Sequence, residues 1–205
     1  MIGRMEALTL PDFERMEALE RACYDAAYIA PAAEAYAWYV LEPRSTVALS
    51  EDGRLIGFVN LFPVREAVFR ALLSGSFNDS GMTAGDLAPA GAAAKHLFLS
   101  CIAVAEPYRG RGISGRLLRM AAAQYAAAPD AQLVTDNVTA AGRRLSERCG
   151  LSFLGGSGHG SWIYAGDWHS FVRAIERLEG RDERRIDEQK IEDGSRAIGR
   201  DSRIC

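Results

Sequence analysis

The stretch that decides the fold is FLSCIAVAEPYRGRGISGRLLRM, residues 98 to 120. The apolar run from His96 to Val104 reads as a buried strand. Ile113, Leu117, Met120 and Ala121 recur at helical spacing, so the chain is expected to be helical from Ile113 to Ala128, with Pro129 marking the end. Between strand and helix stands Arg109-Gly110-Arg111-Gly112. A helix start leaves about four backbone N–H groups without partners and carries roughly half a positive charge. Glycines in the preceding turn let several of those groups point at one centre, which is how backbone binds phosphate. Gly110 and Gly112 lack a Cβ and admit a ligand close to the chain, Ser114 and Gly115 keep the first helical turn slim, and the arginines add charge from outside. The plainer reading is an ordinary strand–helix connection with surface arginines, and the turn alone leaves both open. It is not a P-loop, because no Lys-Ser/Thr follows the glycines, and it lacks the third glycine of a dinucleotide fingerprint.

Working outward, two apolar runs flank Glu51-Asp52-Gly53-Arg54, a strong hairpin signal that predicts strands at 45–50 and 54–62. Downstream, residues 131–136 form a short buried strand. A helix follows, with Thr139 as N-cap and Gly150 just past its end, and a second hairpin turns at 155–160. Upstream, residues 5–10 alternate weakly, as a first strand would. Thr9 then caps a helix over 11–24, and Pro31 opens another that carries Tyr36, Trp38 and Tyr39. Residues 65–94 read as one or two helical turns and a long loop of small residues, a length more often functional than idle. Phe171, Ile175 and Leu178 mark a last helix ended by Gly180. These elements make one domain over 1–180. The sign-balanced, charge-dense tail 181–205 is expected to be partly disordered. Strands in hairpins at both ends, with strand–helix–strand between them, predict an α/β fold. Its sheet would be mixed but mostly antiparallel, with helices on both faces.

A length of 205 residues with 48% hydrophobic content supports one ordinary core. The net charge of −3 speaks against nucleic acid as a general partner. No run reaches the roughly 18 apolar residues of a membrane span, and the N-terminal residues do not resemble a signal peptide, so a soluble cytoplasmic protein is expected. Cys23, Cys101, Cys149 and Cys205 show no CxxC pair and no zinc-like spacing with the three histidines, which points to reduced thiols and no metal.

Val104-Ala-Glu-Pro-Tyr-Arg-Gly-Arg-Gly-Ile-Ser-Gly-Arg-Leu-Leu118 resembles the acetyl-CoA signature of the GNAT superfamily of N-acetyltransferases, Arg/Gln-x-x-Gly-x-Gly/Ala. Arg109, Gly112 and Ser114 take its three positions, the serine standing where Gly or Ala is usual. Leu145-Ser-Glu-Arg-Cys-Gly-Leu-Ser-Phe153 is similar to the family's Leu-Tyr-Glu-Lys-x-Gly-Phe. The resemblance covers residues 4–166, with most of its weight in 97–153. It implies an acyl-CoA N-acyltransferase fold with acetyl-CoA as co-substrate and no metal. The pyrophosphate would sit on the N–H groups of Gly110, Arg111, Gly112, Ile113, Ser114 and Gly115, beside Arg109. Pantetheine would lie where the strand at 96–104 splays from the strand at 132–136, along Ile102, Ala103 and Val104, with Asn137 and Thr139 as further contacts. The acetyl carbonyl would meet a backbone N–H near Ile102.

Acetyl transfer to an amine needs a neutral nucleophile, a donor for the oxyanion and a proton for the leaving thiolate. Relatives often give that proton from a Tyr where this chain has Ser146, a far poorer acid. The strand at 96–104 carries no carboxylate, only His96, Ser100 and Cys101 as polar groups. Asp79 and Asp86 on the long loop, Glu34 on the second helix and His159 in the last turn are the remaining acid–base candidates. The loop and the aromatic cluster at 36–39 would border the acceptor site.

These residues favour transfer of acetyl from acetyl-CoA to a primary amine of a small molecule or peptide. Two alternatives stay in view, a non-catalytic acyl-CoA-binding module and a transferase using a longer acyl chain. Many relatives are dimers, and a homodimer fits this chain too.

Overall fold

The computed structural model describes residues 1–178 apart from 90 and 129, without the side chain of Asp79. The expected helix end at Gly180 and the tail 181–205 lie outside the described residues, as does the stop at Pro129.

One seven-stranded sheet organises the molecule, in the order β1-β2-β3-β4-β5-β7-β6. The strands are β1 (Ile2–Arg4), β2 (Thr46–Glu51), β3 (Arg54–Pro63), β4 (His96–Val104), β5 (Gln132–Asn137), β6 (Ser152–Gly156) and β7 (Trp162–Asp167). Every neighbouring pair is antiparallel except β4 and β5. A parallel pair needs a crossover, and α4 (Ile113–Gln124) supplies it. The β2–β3 hairpin turns through Asp52 and Gly53, both with positive φ (49° and 78°), the twist that such a two-residue turn requires.

The first strand differs from expectation. It is Ile2–Arg4, laid on the edge of β2, while residues 5–10 leave the sheet. Three residues are too few to show an alternation, which is why the sequence pattern missed it. Thr9 does cap α1 (Leu10–Arg21), with its N–H and hydroxyl both bonded to the Asp12 carboxylate at 2.8 and 2.6 Å. Helix α2 is Ala32–Leu41. The helical turns expected after residue 65 are a full helix, α3 (Glu66–Leu73), which buries Val68, Phe69 and Leu72. Helix α5 (Ala140–Arg148) starts at Thr139, whose hydroxyl accepts from Gly142 N–H at 3.0 Å. It ends on Gly150 at φ 79°, where Gly150 N–H bonds Glu147 O and Leu151 N–H bonds Ser146 O. Residues 168–178 form α6.

Alternation along the strands sends side chains to two faces. Leu49, Ile56, Leu61, Leu97 and Leu133 pack under α4 and α6, against Leu117, Leu118, Phe171 and Ile175. On the other face, Ala48, Phe58 and Ala103 meet Phe13 and Met16 of α1, and Phe62, Phe98 and Val134 meet Trp38 of α2 and Phe69 of α3. The long loop after α3 is pinned to this second face by the buried Met82 and Leu87, and Arg65 N–H bonds Asp86 O at 3.0 Å. Among the described residues no helix is long and apolar enough to cross a membrane.

Candidate active site

Strand β4 changes partners midway. Asn60 of β3 pairs with Cys101 and Leu61 with Leu99, so Ser100 is a bulged residue with no opposite number. On the other edge the parallel ladder with β5 stops at Leu99 and Thr135. A bulge bends its strand and ends pairing, and here it turns the second half of β4 away from β5. Ser100 to Val104 therefore border a gap. Alternate residues of a strand present their N–H and C=O to one edge, and Ile102 and Val104 present theirs to this gap. Two side chains hold those carbonyls: the Tyr24 hydroxyl donates to Ile102 O at 2.6 Å, and Arg109 Nε donates to Val104 O at 3.0 Å.

At the wide end of the gap the chain passes Tyr108 and enters α4. Gly110 and Gly112 take φ of 74° and 72°, the left-handed region that glycine enters without strain. Among the described residues no side chain caps α4, and its first helical bond runs from Arg116 N–H to Gly112 O at 3.0 Å. The N–H groups of Ile113, Ser114 and Gly115 precede that bond and form the positive end of the helix dipole. Arg111 turns away, with its guanidinium over the Tyr108 ring, 5.3 Å from the centroid. Ile113 is a core residue and Ala103 faces the opposite helix layer.

Three cavities follow one another along the gap. The widest, about 520 Å³, is lined by Arg109, Ser114, Ile102 and Val104 on one side and by Thr139, Arg144 and Arg148 on the other. It continues into a narrow middle cavity of about 50 Å³ between Ser100, Ile102, Asp136 and Ser146. Beyond that lies a third, also about 50 Å³, among Glu20, Tyr28, Trp38, Asn60 and Asp136. Tyr24 lines all three. Burial, reinforced by the neighbouring Cys101 and Cys23, holds its phenol well above the ordinary tyrosine range, so it stays protonated.

The structure spreads the sequence-derived candidates unevenly. Ser146 is buried beside Asn137: its Oγ accepts from Asn137 Nδ2 at 3.0 Å and lies 3.2 Å from Oδ1. Both line the middle cavity, as does Thr139. Asp86 caps Thr83, accepting its N–H and hydroxyl at 2.7 and 2.8 Å, and lines none of the three cavities. The side chain of Asp79 is not described. Glu34 is exposed, and His96 stacks on Phe69 with ring centroids 4.5 Å apart. Met82 and Leu87 tie the long loop to α3 and Trp38, and its turn at Asp79–Gly81 packs against the turn Ala26–Tyr28, whose Tyr28 lines the third cavity. From the aromatic cluster only Trp38 faces the third cavity, while Tyr36 and Tyr39 pack on Phe13.

Lining residues that escaped the sequence reading include Glu20, Tyr24, Tyr28, Asp136, Arg144 and Arg148. Asp136 carries a visible clue, a carboxylate directly after Leu133, Val134 and Thr135 in a strand that reads as buried. His159 Nε2 lies 2.7 Å from Asp136 Oδ2, and the Tyr28 hydroxyl donates to His159 O at 2.9 Å.

A bulge-split parallel pair, an uncapped helix start beside it and a continuous cleft between them define an acyl-CoA-dependent N-acyltransferase. The sequence agrees, since residues 13–151 match the model of the acetyltransferase (GNAT) family, and the chain belongs to that family. None of the curated proteins matches its sequence. Among solved structures, the chain is similar to the GphF GNAT-like decarboxylase in complex with isobutyryl-CoA. That match has 18% identity and a TM-score of 0.62, and it covers 82% of this chain and 99% of the other. The loading GNATL domain of CurA from Lyngbya majuscula is similar at 13% identity and a TM-score of 0.61, over 82% and 98% of the two chains. Diaminobutyrate acetyltransferase EctA from Paenibacillus lautus, solved with its substrate and coenzyme A, is similar at 16% identity and a TM-score of 0.53, over 82% and 96%. Likeness at these identities is likeness of fold.

Proposed function

We propose that the chain transfers acetyl from acetyl-CoA directly to a primary amine of a small molecule or peptide, within a ternary complex. The observation that carries this reading is the parting of β4 from β5 at Ser100, which leaves one cleft running from the start of α4 to Asp136. The diphosphate of coenzyme A sits on the N–H groups of residues 112–115, with Arg109, Arg144 and Arg148 supplying charge around it. Pantetheine runs along β4 as an added strand and displaces Tyr24 and Arg109 from the Ile102 and Val104 carbonyls. Ile102 N–H then polarises the thioester carbonyl, a fixed dipole aimed where negative charge develops. The freed Tyr24 hydroxyl gives its proton to the departing thiolate, the task that Ser146 is too weak an acid to perform. Ser146 and Asn137 hold the wall of the middle cavity. A cytoplasmic location fits three free thiols, Cys23, Cys101 and Cys149.

A longer acyl donor is the second reading, favoured by the isobutyryl-CoA held by the similar GphF structure. Acetyl-, isobutyryl- and succinyl-CoA are incubated with a panel of primary amines, and free thiol is followed. Amine-dependent thiol release fastest with acetyl-CoA is expected. Faster release with isobutyryl-CoA supports the longer donor. Tight coenzyme A binding without turnover on any amine means a binding module and overturns the transferase.

A further inference from the structure

Asp136 is an unusual group to find where it is. Its side chain is 4% exposed, one oxygen is bonded to His159, and the other, Oδ1, is buried without a hydrogen-bond partner. A buried carboxylate oxygen left unpaired bears its full desolvation cost with no bond in return, so such an atom calls for a ligand. Asp136 lines both the middle cavity, where the thioester would lie, and the third cavity beyond it. That third cavity adds the Glu20 carboxylate and the faces of Tyr28 and Trp38, surroundings that suit an amine. Its volume of about 50 Å³ holds only a few water-sized groups, at ~10–15 Å³ for each.

Building on the transferase reading, we propose that Asp136 is the catalytic base for the acceptor amine, that His159 positions it, and that the acceptor is a primary amine on a short unbranched arm. His159 Nε2–H occupies Oδ2 and leaves Oδ1 facing the cavity. The turn that carries His159 is itself fastened, by Tyr28 to the His159 carbonyl and by Gly158 N–H to Gly75 O at 3.1 Å. The amine enters neutral and donates an N–H to Oδ1. Its lone pair attacks the thioester carbon, so the N–C bond forms and the nitrogen becomes acidic. Oδ1 takes one proton from it and the C–S bond breaks. Sulfur gains a proton from Tyr24, which is re-protonated through Asp136 or solvent. The sum is one proton moved from nitrogen to sulfur, giving amide and free thiol. A cavity of about 50 Å³ lined by Trp38 and Tyr28 leaves little room for a branched amine carbon.

The test first loads the chain with coenzyme A, which carries no acyl group to transfer, measured by isothermal titration. Failure at this step belongs to the cofactor reading and is separate from the next one. Ring ¹⁵N resonances of the three histidines are then followed, His159 being assigned with His159→Gln. The probes are 1,3-diaminopropane and tetramethylammonium, the latter having no N–H to donate. A saturable shift of His159 with 1,3-diaminopropane alone, absent in Asp136→Asn, is expected. No shift at concentrations well above the roughly 1 mM end of ordinary KM values, an equal shift from tetramethylammonium, or a shift that survives in Asp136→Asn each overturns the proposal.

The rate arm uses the same diamine. Asp136→Asn, which is isosteric, should lower kcat by about 100-fold or more with KM for acetyl-CoA unchanged. His159→Gln, which keeps a donor, should retain more kcat than His159→Phe. An unchanged kcat in Asp136→Asn overturns the assignment.

Discussion

The two ends of the cleft are built by opposite means. The end proposed for the cofactor is mainly one continuous piece of chain, Ile102 to Gly115, and that piece offers chiefly backbone: two carbonyls, a glycine turn and uncapped helix N–H groups, with Arg144 and Arg148 of α5 across from it. The end proposed for the acceptor takes single side chains from distant places, Glu20 and Tyr24 near the end of α1, Trp38 from α2, Asp136 from β5 and His159 from the last turn. Backbone recognition needs a short motif and tolerates little change within it. Side-chain recognition needs the whole fold and can be altered one residue at a time. This arrangement lets one family keep its donor while the acceptor varies.

Four substitutions and one titration probe that contrast, in descending order of effect. Gly112→Asp should break the cofactor end. Its left-handed backbone costs about 1–2 kcal/mol for a residue with a Cβ, which leaves the fold intact by circular dichroism. The new carboxylate against the diphosphate should lower acetyl-CoA affinity by at least ~100-fold in isothermal titration, about 2.7 kcal/mol. Retained affinity would place the cofactor elsewhere.

Tyr24→Phe strikes the junction. Loss of the proton donor should reduce kcat by about 100-fold while acetyl-CoA binding persists. If kcat holds, the thiolate leaves without help from Tyr24. Arg109→Ala should be milder, because N–H groups carry the main contact. About 10-fold weaker binding, near 1.4 kcal/mol, is expected, with a flatter dependence on salt in titrations at rising ionic strength.

The middle of the cleft can be tested through Cys149, which lines it and is 1% exposed. Burial pushes its thiol up to about 12 from an ordinary value of 9.0, with Arg148 opposing. The unfolded chain therefore loses this proton first, and stability falls as pH rises through the window between about 9 and 12. Near pH 10 the loss is about 1.4 kcal/mol from this group. Burial raises Tyr24 and Tyr125 as well, in the same direction, so urea midpoints should drop at least this steeply. A flat profile to pH 10 would mean that water reaches the cleft wall. Gly142→Ala should act least. A Cβ there lies 2.7 Å from Asn137 Oδ1, so the Asn137–Ser146 pair must shift. Overpacking of roughly 1–3 kcal/mol is offset by about 1 kcal/mol of helix propensity, for a net loss near 1 kcal/mol in urea melts.

Legibility in the sequence followed the range of the interactions. The β2–β3 hairpin, the Thr9 and Thr139 caps and the Gly150 stop were readable because each depends on a few neighbouring residues. The short edge strand Ile2–Arg4 was not, since its partner β2 lies more than forty residues away and its pattern is too brief. Asp86 reads as a loop acid available for chemistry, yet its carboxylate is used to cap Thr83. Nothing local distinguishes these two uses. Asp136 could have been suspected as a carboxylate next to the buried Leu133, Val134 and Thr135, but its partner His159 could not.

The glycine–arginine turn, its flanking strand and helix, and the family membership were written in contiguous residues, because backbone geometry near a turn is set by the side chains that make the turn. The bulge at Ser100, the parting of β4 from β5, the reach of Tyr24 across to Ile102 and the union of Asp136 with His159 were decided only by the tertiary structure. Each depends on where separate segments come to rest, and packing between distant parts of the chain sets that position.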